Sequence, residues 1–182
     1  MYRYAGDVPE QPSASAEDDI SWELFTPAAI EQHFADDPKW ARRFANSLRA
    51  KAVGVLVKYK GEWASYGWFS TPGNPLPPHI PHQLNTGAFW FYHGHTNVRL
   101  RQRGLFRVLI RELLCEAYQC DSSPIILVDV ATGNHQSRRA VTEAGFAEMG
   151  MLDVYYLWLP KLVRYPIAGN WHKSEPHPAM DV

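Results

Sequence analysis

The stretch from residue 88 to residue 131 constrains the fold more than any other. Residues 88–92 (Ala-Phe-Trp-Phe-Tyr) are strongly apolar, as in a buried strand that continues through His93 and His95. The chain then turns through Arg101-Gln102-Arg103-Gly104 into a helical pattern over about 105–118. Leu105/Leu109/Leu113/Ala117 and Phe106/Ile110/Leu114/Tyr118 form two adjacent columns, which make one wide apolar face. Residues 125–131 are almost continuously apolar, as expected of a central strand covered on both sides. A strand, a helix and a second strand in this order make a parallel crossover with the helix packed on the sheet.

The remaining segments build the sheet outward. Residues 20–25 alternate as a short strand, and Thr26-Pro27 matches an N-cap followed by a proline in the first helical turn. Pro38 restarts a helix whose Trp40, Phe44 and Leu48 repeat at four-residue spacing. Val53, Val55 and Val57 alternate in a strand, Lys60-Gly61 turns, and residues 62–70 return antiparallel. Residues 71–81 carry five prolines, which forbid helix and central strand alike. Such a loop serves either as a rigid surface connection or as part of a site. Asn134 opens a second amphipathic helix that ends at Gly145, and residues 146–159 read as one or two closing strands. The expected architecture is α/β, a mixed, mostly antiparallel sheet with helices on both faces. Residues 1–18 show no periodic apolar pattern and read as a flexible tail. Residues 19–163 form the single domain, and residues 164–182 an arm or tail.

Bulk properties exclude some roles. A net charge of −1 supplies no broad basic field for DNA or an anionic membrane. The two cysteines, Cys115 and Cys120, are too few for a disulfide framework. Cys115 falls inside the helical pattern, as a small buried hydrophobe would. With no leader-like N-terminus and no apolar run of membrane-spanning length, the cytoplasm is the expected compartment.

The basic turn carries the first chemical signal. A glycine-centred turn at a helix start presents N–H groups that lack helical acceptors, at the positive end of the helix dipole, and so offers a seat for phosphate. Arg101-x-x-Gly104-x-Phe106 stands at this strand-to-helix turn, and Asn134, Ser137, Gly145 and Phe146 follow at spacings of three, eleven and twelve from the asparagine. On these two patterns together, residues 88–159 resemble the GNAT (GCN5-related N-acetyltransferase) superfamily. The resemblance implies a splayed central strand pair, between the strand ending at His95–Thr96 and the strand 125–131, that holds the pantetheine arm of acetyl-CoA or another acyl-CoA. It implies that Gln102, Arg103, Gly104, Leu105 and Phe106 hold the pyrophosphate, with Arg101, Arg103 and Arg107 as candidate phosphate partners. It also implies that Asn134 and Ser137 border the arm, where Asn134 serves equally well as a plain N-cap.

Two departures from the family pattern stand out. Phe106 occupies a position usually held by a small residue. Val141 stands seven residues after Asn134, where many members carry a tyrosine that protonates the leaving thiolate. Tyr155, Tyr156, Ser137 or a histidine could take that role, or the thiolate leaves unassisted. The attacking amine must lose a proton. His93 and His95, two apart on a strand, are expected to share a face, and His93 is the candidate base. The alternative is a pair of satisfied, half-buried imidazoles. Glu62 and Asp129 are weaker candidates, since a carboxylate in an apolar strand needs a partner of its own. No acidic or cysteine ligand completes a metal site around His79, His82, His93 and His95, so no metal is expected.

The function expected from the resemblance is N-acyl transfer by direct attack, from an acyl-CoA to the amine of a small molecule. The cysteines are badly placed for a covalent intermediate. The crowded aromatics Trp63, Tyr66, Trp68, Phe69, Phe89, Trp90, Phe91 and Tyr92 divide between the core and an acceptor pocket. The family also admits a carrier-protein phosphopantetheine or an aminoacyl-tRNA as donor, an acyl carrier protein as partner, and a homodimer. Two rival classes remain, a non-catalytic acyl-CoA-binding module and a metal enzyme built on the histidines.

Overall fold

The computed structural model describes residues 1–9, 19–75 and 87–151, with residues 153–155 and 162–164 as backbone alone. Nine strands and four helices follow in the order β1 (Tyr2–Tyr4), β2 (Ile20–Leu24), α1 (Pro27–Phe34), α2 (Pro38–Arg49), β3 (Val53–Tyr59), β4 (Glu62–Ser70), β5 (Phe89–Thr96), α3 (Leu105–Cys120), β6 (Ile126–Val128), α4 (His135–Glu143), β7 (Phe146–Glu148), β8 (Asp153–Tyr155) and β9 (Leu162–Arg164) among the described residues. A seven-stranded sheet runs β2-β3-β4-β5-β6-β1-β7, and β8 pairs with β9 in a separate two-stranded sheet. Among the described residues only the β5–β6 pairing is parallel, so the mixed, mostly antiparallel sheet expected from the sequence is present.

Alternation in the strands sends apolar residues to both faces, and each face has its own core. Leu105, Leu109 and Leu113 of α3 pack on Val55, Phe69 and Phe91, joined by Val141 of α4. On the opposite face Phe25, Phe34 and Phe44 pack on Leu56, Tyr66 and Trp68 beneath α1 and α2. Leu109 is fully buried, and Leu109→Ala would cost about 2–5 kcal/mol. Asp129, expected in an apolar strand, stands just past the end of β6 and accepts a hydrogen bond from Trp90 Nε1 at 2.8 Å.

The N-terminus corrects the sequence reading. Residues 2–4 are not part of a tail: β1 lies between β6 and β7, with Tyr2 opposite both Val128 and Glu148. Met1 and Tyr2 are buried, and Tyr2 Oη accepts from Arg138 Nε at 2.8 Å. Three residues beside a polar stretch give no periodicity to read. The strand exists because neighbours on both sides complete its ladder. Residues 10–18 of the expected tail, residues 165–182 of the expected arm and most of the proline-rich loop lie outside the described residues. Among the described residues no helix is long and apolar enough to cross a membrane.

Candidate active site

Strand β5 has two halves. Phe89, Trp90 and Phe91 pair in parallel with Ile126, Leu127 and Val128, and there the ladder ends. Beyond Phe91, β5 runs on to Thr96, paired on its other side with β4, while the chain after Val128 departs toward α4. The expected splay is therefore present. A cavity of about 190 Å³ opens between the diverging chains, lined by Phe91, Gly94, Phe106, Val130, Asn134 and Val141 among others.

A bulge shapes the upper half. Trp68 pairs with Tyr92, but Tyr66 pairs with His95, so β5 carries one more residue than β4 across this step. His93 takes up the extra residue with φ 54°, a left-handed conformation uncommon outside glycine. The bulge reverses the alternation beyond it, so His95 falls on the face of Tyr92, while His93 sits in the bulge with its ring 4.8 Å from that of Tyr92. Tyr92 and His95 both turn to the aromatic core, where His95 lies against Trp40, Trp63 and Tyr66. Phe91 and Gly94 line the cavity on the other side. Burial, reinforced by the Arg101 charge, holds the His95 imidazole below the usual histidine range. Its side chain is packed with rings rather than aimed at the cleft. Ser65 Oγ donates to the His95 carbonyl at 2.8 Å and lies 3.0 Å from Thr96 Oγ1, which fixes the outer end of β5 to β4.

Gly94 is where the cleft needs a glycine. A Cβ there would stand 2.9 Å from Phe106 Cε2. The phenyl ring that departs from the family pattern thus reaches across from α3 to the β5 backbone. It packs partly on the core and partly walls the cavity.

At the near end of the cleft, α3 begins without a side-chain cap. Gly104 is its N-cap at φ 74°, and Gln102 is also left-handed at φ 65°. Turns of this kind bring successive N–H groups to face one point. The other three helices are capped: Thr26 Oγ1 accepts from Ala29 N, Asp37 Oδ1 from Trp40 N and Asn134 Oδ1 from Ser137 N. The N–H groups of Gly104, Leu105 and Phe106 stand where a helix offers no acceptor of its own. Of the basic residues nearby, Arg103 lies over the Tyr59 ring at 5.3 Å, and Arg107 pairs with Glu143 at 2.9 Å. Arg111 is turned onto buried Glu112 at 2.8 Å.

Asn134 and Ser137 line the cavity, and Asn134 is at the same time a true N-cap. Val141 is buried at the cavity wall and has no proton to give. Tyr155 ends β8 opposite Leu162, and its side chain lies outside the described residues. Cys115 is buried as expected, and burial pushes its thiol up. Among the described residues no group of three His, Cys, Asp or Glu could hold a metal ion.

One neighbour was invisible in the sequence. Arg43, from α2, places Nη2 in hydrogen-bond contact with His93 Nε2. It is fifty residues away in the chain, in no motif, and only the fold brings it to the bulge. The bulge itself had a signal, an isolated glycine between two histidines in an aromatic strand.

No protein-family model matches this chain, and no curated protein matches it in sequence. Solved structures match it in fold. An aminoglycoside N-acetyltransferase, AAC(6')-Iy, in complex with CoA superimposes with TM-score 0.56 at 12% identity, over 80% of this chain and 99% of that one. A ribosomal-protein-alanine N-acetyltransferase from Brucella melitensis biovar Abortus 2308 gives 0.53 at 15%, over 76% and 99%. Glucosamine-6-phosphate N-acetyltransferase from Arabidopsis thaliana gives 0.52 at 13%, over 76% and 99%. The chain has the GNAT fold, and it spans nearly the whole length of each of these structures.

Proposed function

We propose that this protein is an N-acyltransferase that moves an acyl group, by default acetyl, from coenzyme A to the amine of a small molecule. The observation that carries the reading is the bare start of α3 at the end of a cleft between two diverging strands. Main-chain N–H groups and a positive helix end favour a diphosphate there. The open side of β5 beyond Phe91 offers backbone groups to an extended amide-bearing arm such as pantetheine. That acyl-CoA enzymes share this fold supports the donor class. The names of the three structures point to three different acceptors, so the fold does not decide the acceptor. A carrier-protein phosphopantetheine would fit the same cleft through the same arm.

In this reading the thioester carbonyl lies near the bulge. The amine attacks it directly, the C–S bond breaks and coenzyme A leaves as thiolate. His93 Nε2 takes the amine proton. Ser137 supports the thiolate from the cavity wall, and Tyr155 is the second candidate donor. With Val141 at the wall, protonation of the thiolate contributes less than where a phenol stands. That same residue favours one rival, an acyl-CoA-binding module without turnover.

The two separate in a single experiment. Coenzyme A binding is measured by calorimetry, and thiol release from acetyl-CoA is followed with a panel of amines. Binding with amine-dependent thiol release is expected. Binding without release leaves the module, and absence of binding overturns both. His93→Ala should lower turnover far more than coenzyme A affinity; an unchanged rate across pH removes His93 as the base.

A further inference from the structure

Most arginines near the cleft have an anionic or phenolic partner. Arg107 and Arg139 share Glu143, Arg138 pairs with Glu148, Arg111 with Glu112, and Arg103 lies on Tyr59. Arg43 differs. It is exposed on α2, its guanidinium carbon lies 5.2 Å from the centre of the Trp40 ring, and among the described residues no carboxylate pairs with it. Its charge bears on both Tyr66 and Tyr92, whose phenols burial pushes up, Tyr66 to about 12. Arg101 adds a second positive charge beside His95. The acid that acts on Tyr66 is Asp37, the N-cap of α2, and its Oδ1 already accepts from Trp40 N. Arg43 and Arg101 thus stand at the bulge, and the carboxylate on the cavity wall, Asp129, accepts from Trp90 Nε1 rather than from Arg43.

What Arg43 holds is an imidazole. A guanidinium carries donors only and does not lose its proton, so His93 Nε2 must accept with its lone pair. His93 is then neutral with its proton on Nδ1, and the lone pair that should receive the amine proton is occupied.

We infer that the acceptor is an amine that also carries a carboxylate or phosphate, and that this anion seats on Arg43 and draws it off His93 Nε2. The inference rests on the transferase reading above and names the substrate class for that same site. A carboxylate or phosphate accepts two parallel hydrogen bonds from a guanidinium and is a stronger partner than one imidazole nitrogen. Seating the anion frees the lone pair as the amine arrives. The amine nitrogen then bonds to the acyl carbon, the C–S electrons leave with the coenzyme A thiolate, and the nitrogen's proton passes to His93 Nε2. An amine without an anion meets a base that is still masked.

The test uses the full chain and matched probes: phenylalanine against phenethylamine, and glucosamine 6-phosphate against glucosamine. Thiol release from acetyl-CoA gives kcat and KM, and tryptophan fluorescence in the presence of coenzyme A gives equilibrium binding. The anionic member of at least one pair should be favoured by about tenfold or more, the worth of a charge-assisted contact, and the responding pair distinguishes carboxylate from phosphate. Arg43→Gln should collapse that ratio and raise kcat for the member without the anion, because the lone pair is no longer covered. Arg43→Lys should keep part of the preference. Coenzyme A affinity reports that each variant folds.

A wild type without preference in either pair, or a ratio unchanged in Arg43→Gln, overturns the anion seat. A kcat for the anion-free amine that falls in Arg43→Gln overturns the masking of His93. Preferential binding without thiol release from any amine sinks the transferase reading and leaves the anion seat standing. Turnover with no dependence on Arg43 does the reverse.

Discussion

The starts of α3 and α4 face the same cleft and are built in opposite ways. At α4, Asn134 satisfies the helix from within, its Oδ1 accepting from Ser137 N at 3.1 Å. At α3, Gly104 supplies no side chain and adopts φ 74°. A capped end is locally complete, whereas a bare end needs a partner from elsewhere, either water or a ligand. The sequence spends asparagine, aspartate and threonine on three helix starts and withholds a cap from the fourth. That fourth one stands at the end of the gap where β5 and β6 part. The contrast separates a helix start that is complete in itself from one that leaves its N–H groups for the proposed anion.

Giving α3 an acid of its own should erase the difference. Gly104→Asp puts a negative charge against the proposed diphosphate at a backbone conformation that aspartate tolerates only moderately. Coenzyme A affinity by calorimetry should fall about 100-fold, as several charge-assisted contacts are lost together. Unchanged affinity would mean that the phosphate sits elsewhere.

The helix starts were legible in the sequence because capping is local. Thr26-Pro27 and the series Asn134, Ser137, Gly145 announce their turns within a few residues. The columns of α3 were legible for the same reason, since the period of a helix is written along it. What escaped was set by partners. β1 is a strand through Val128 and Glu148, far along the chain. The face of His95 depends on a register step against β4. Arg43 meets His93 only because α2 lies over that step. The bare helix start proposed as the donor seat was therefore readable from local pattern, and the neighbours of the bulge were not.

The second prediction concerns the open half of β5. Gly94→Val would drive a branched side chain into the Phe106 ring, 2.9 Å from where its Cβ would stand. Closing the cleft there should weaken coenzyme A about tenfold, the loss of one well-formed contact. Gly94→Val/Phe106→Ala should recover most of that affinity. Failure to recover would show that the arm does not pass Gly94.

Removing the cap of α4 should have a smaller effect, and a different one. Asn134→Ala should cost about 1 kcal/mol of unfolding free energy, or about 2–4 °C in Tm by calorimetry. Because the residue also lines the cavity, a few-fold loss of affinity would accompany it. A loss of affinity as large as that of Gly104→Asp would abolish the proposed asymmetry between the two ends.

The smallest effect concerns Arg107, which is tied to Glu143 at 2.9 Å in a solvent-exposed pair. Arg139 and Arg107 together hold the Glu143 carboxyl below its usual range. Glu143→Gln should release Arg107 toward the phosphates and tighten coenzyme A about twofold at low salt, an advantage that disappears at high ionic strength. No change at any salt would leave Arg107 as a surface residue.

The central claim is that the uncapped N–H groups at the head of α3 grip a diphosphate. Titrating coenzyme A into nitrogen-15-labelled protein and following each backbone amide tests it directly. The amides of Gln102 to Phe106 should shift most, and those from His93 to Thr96 next, with Ala29 and Trp40 at the capped helices unmoved. Saturable binding that leaves Gly104, Leu105 and Phe106 unshifted, or no binding at all, would contradict it.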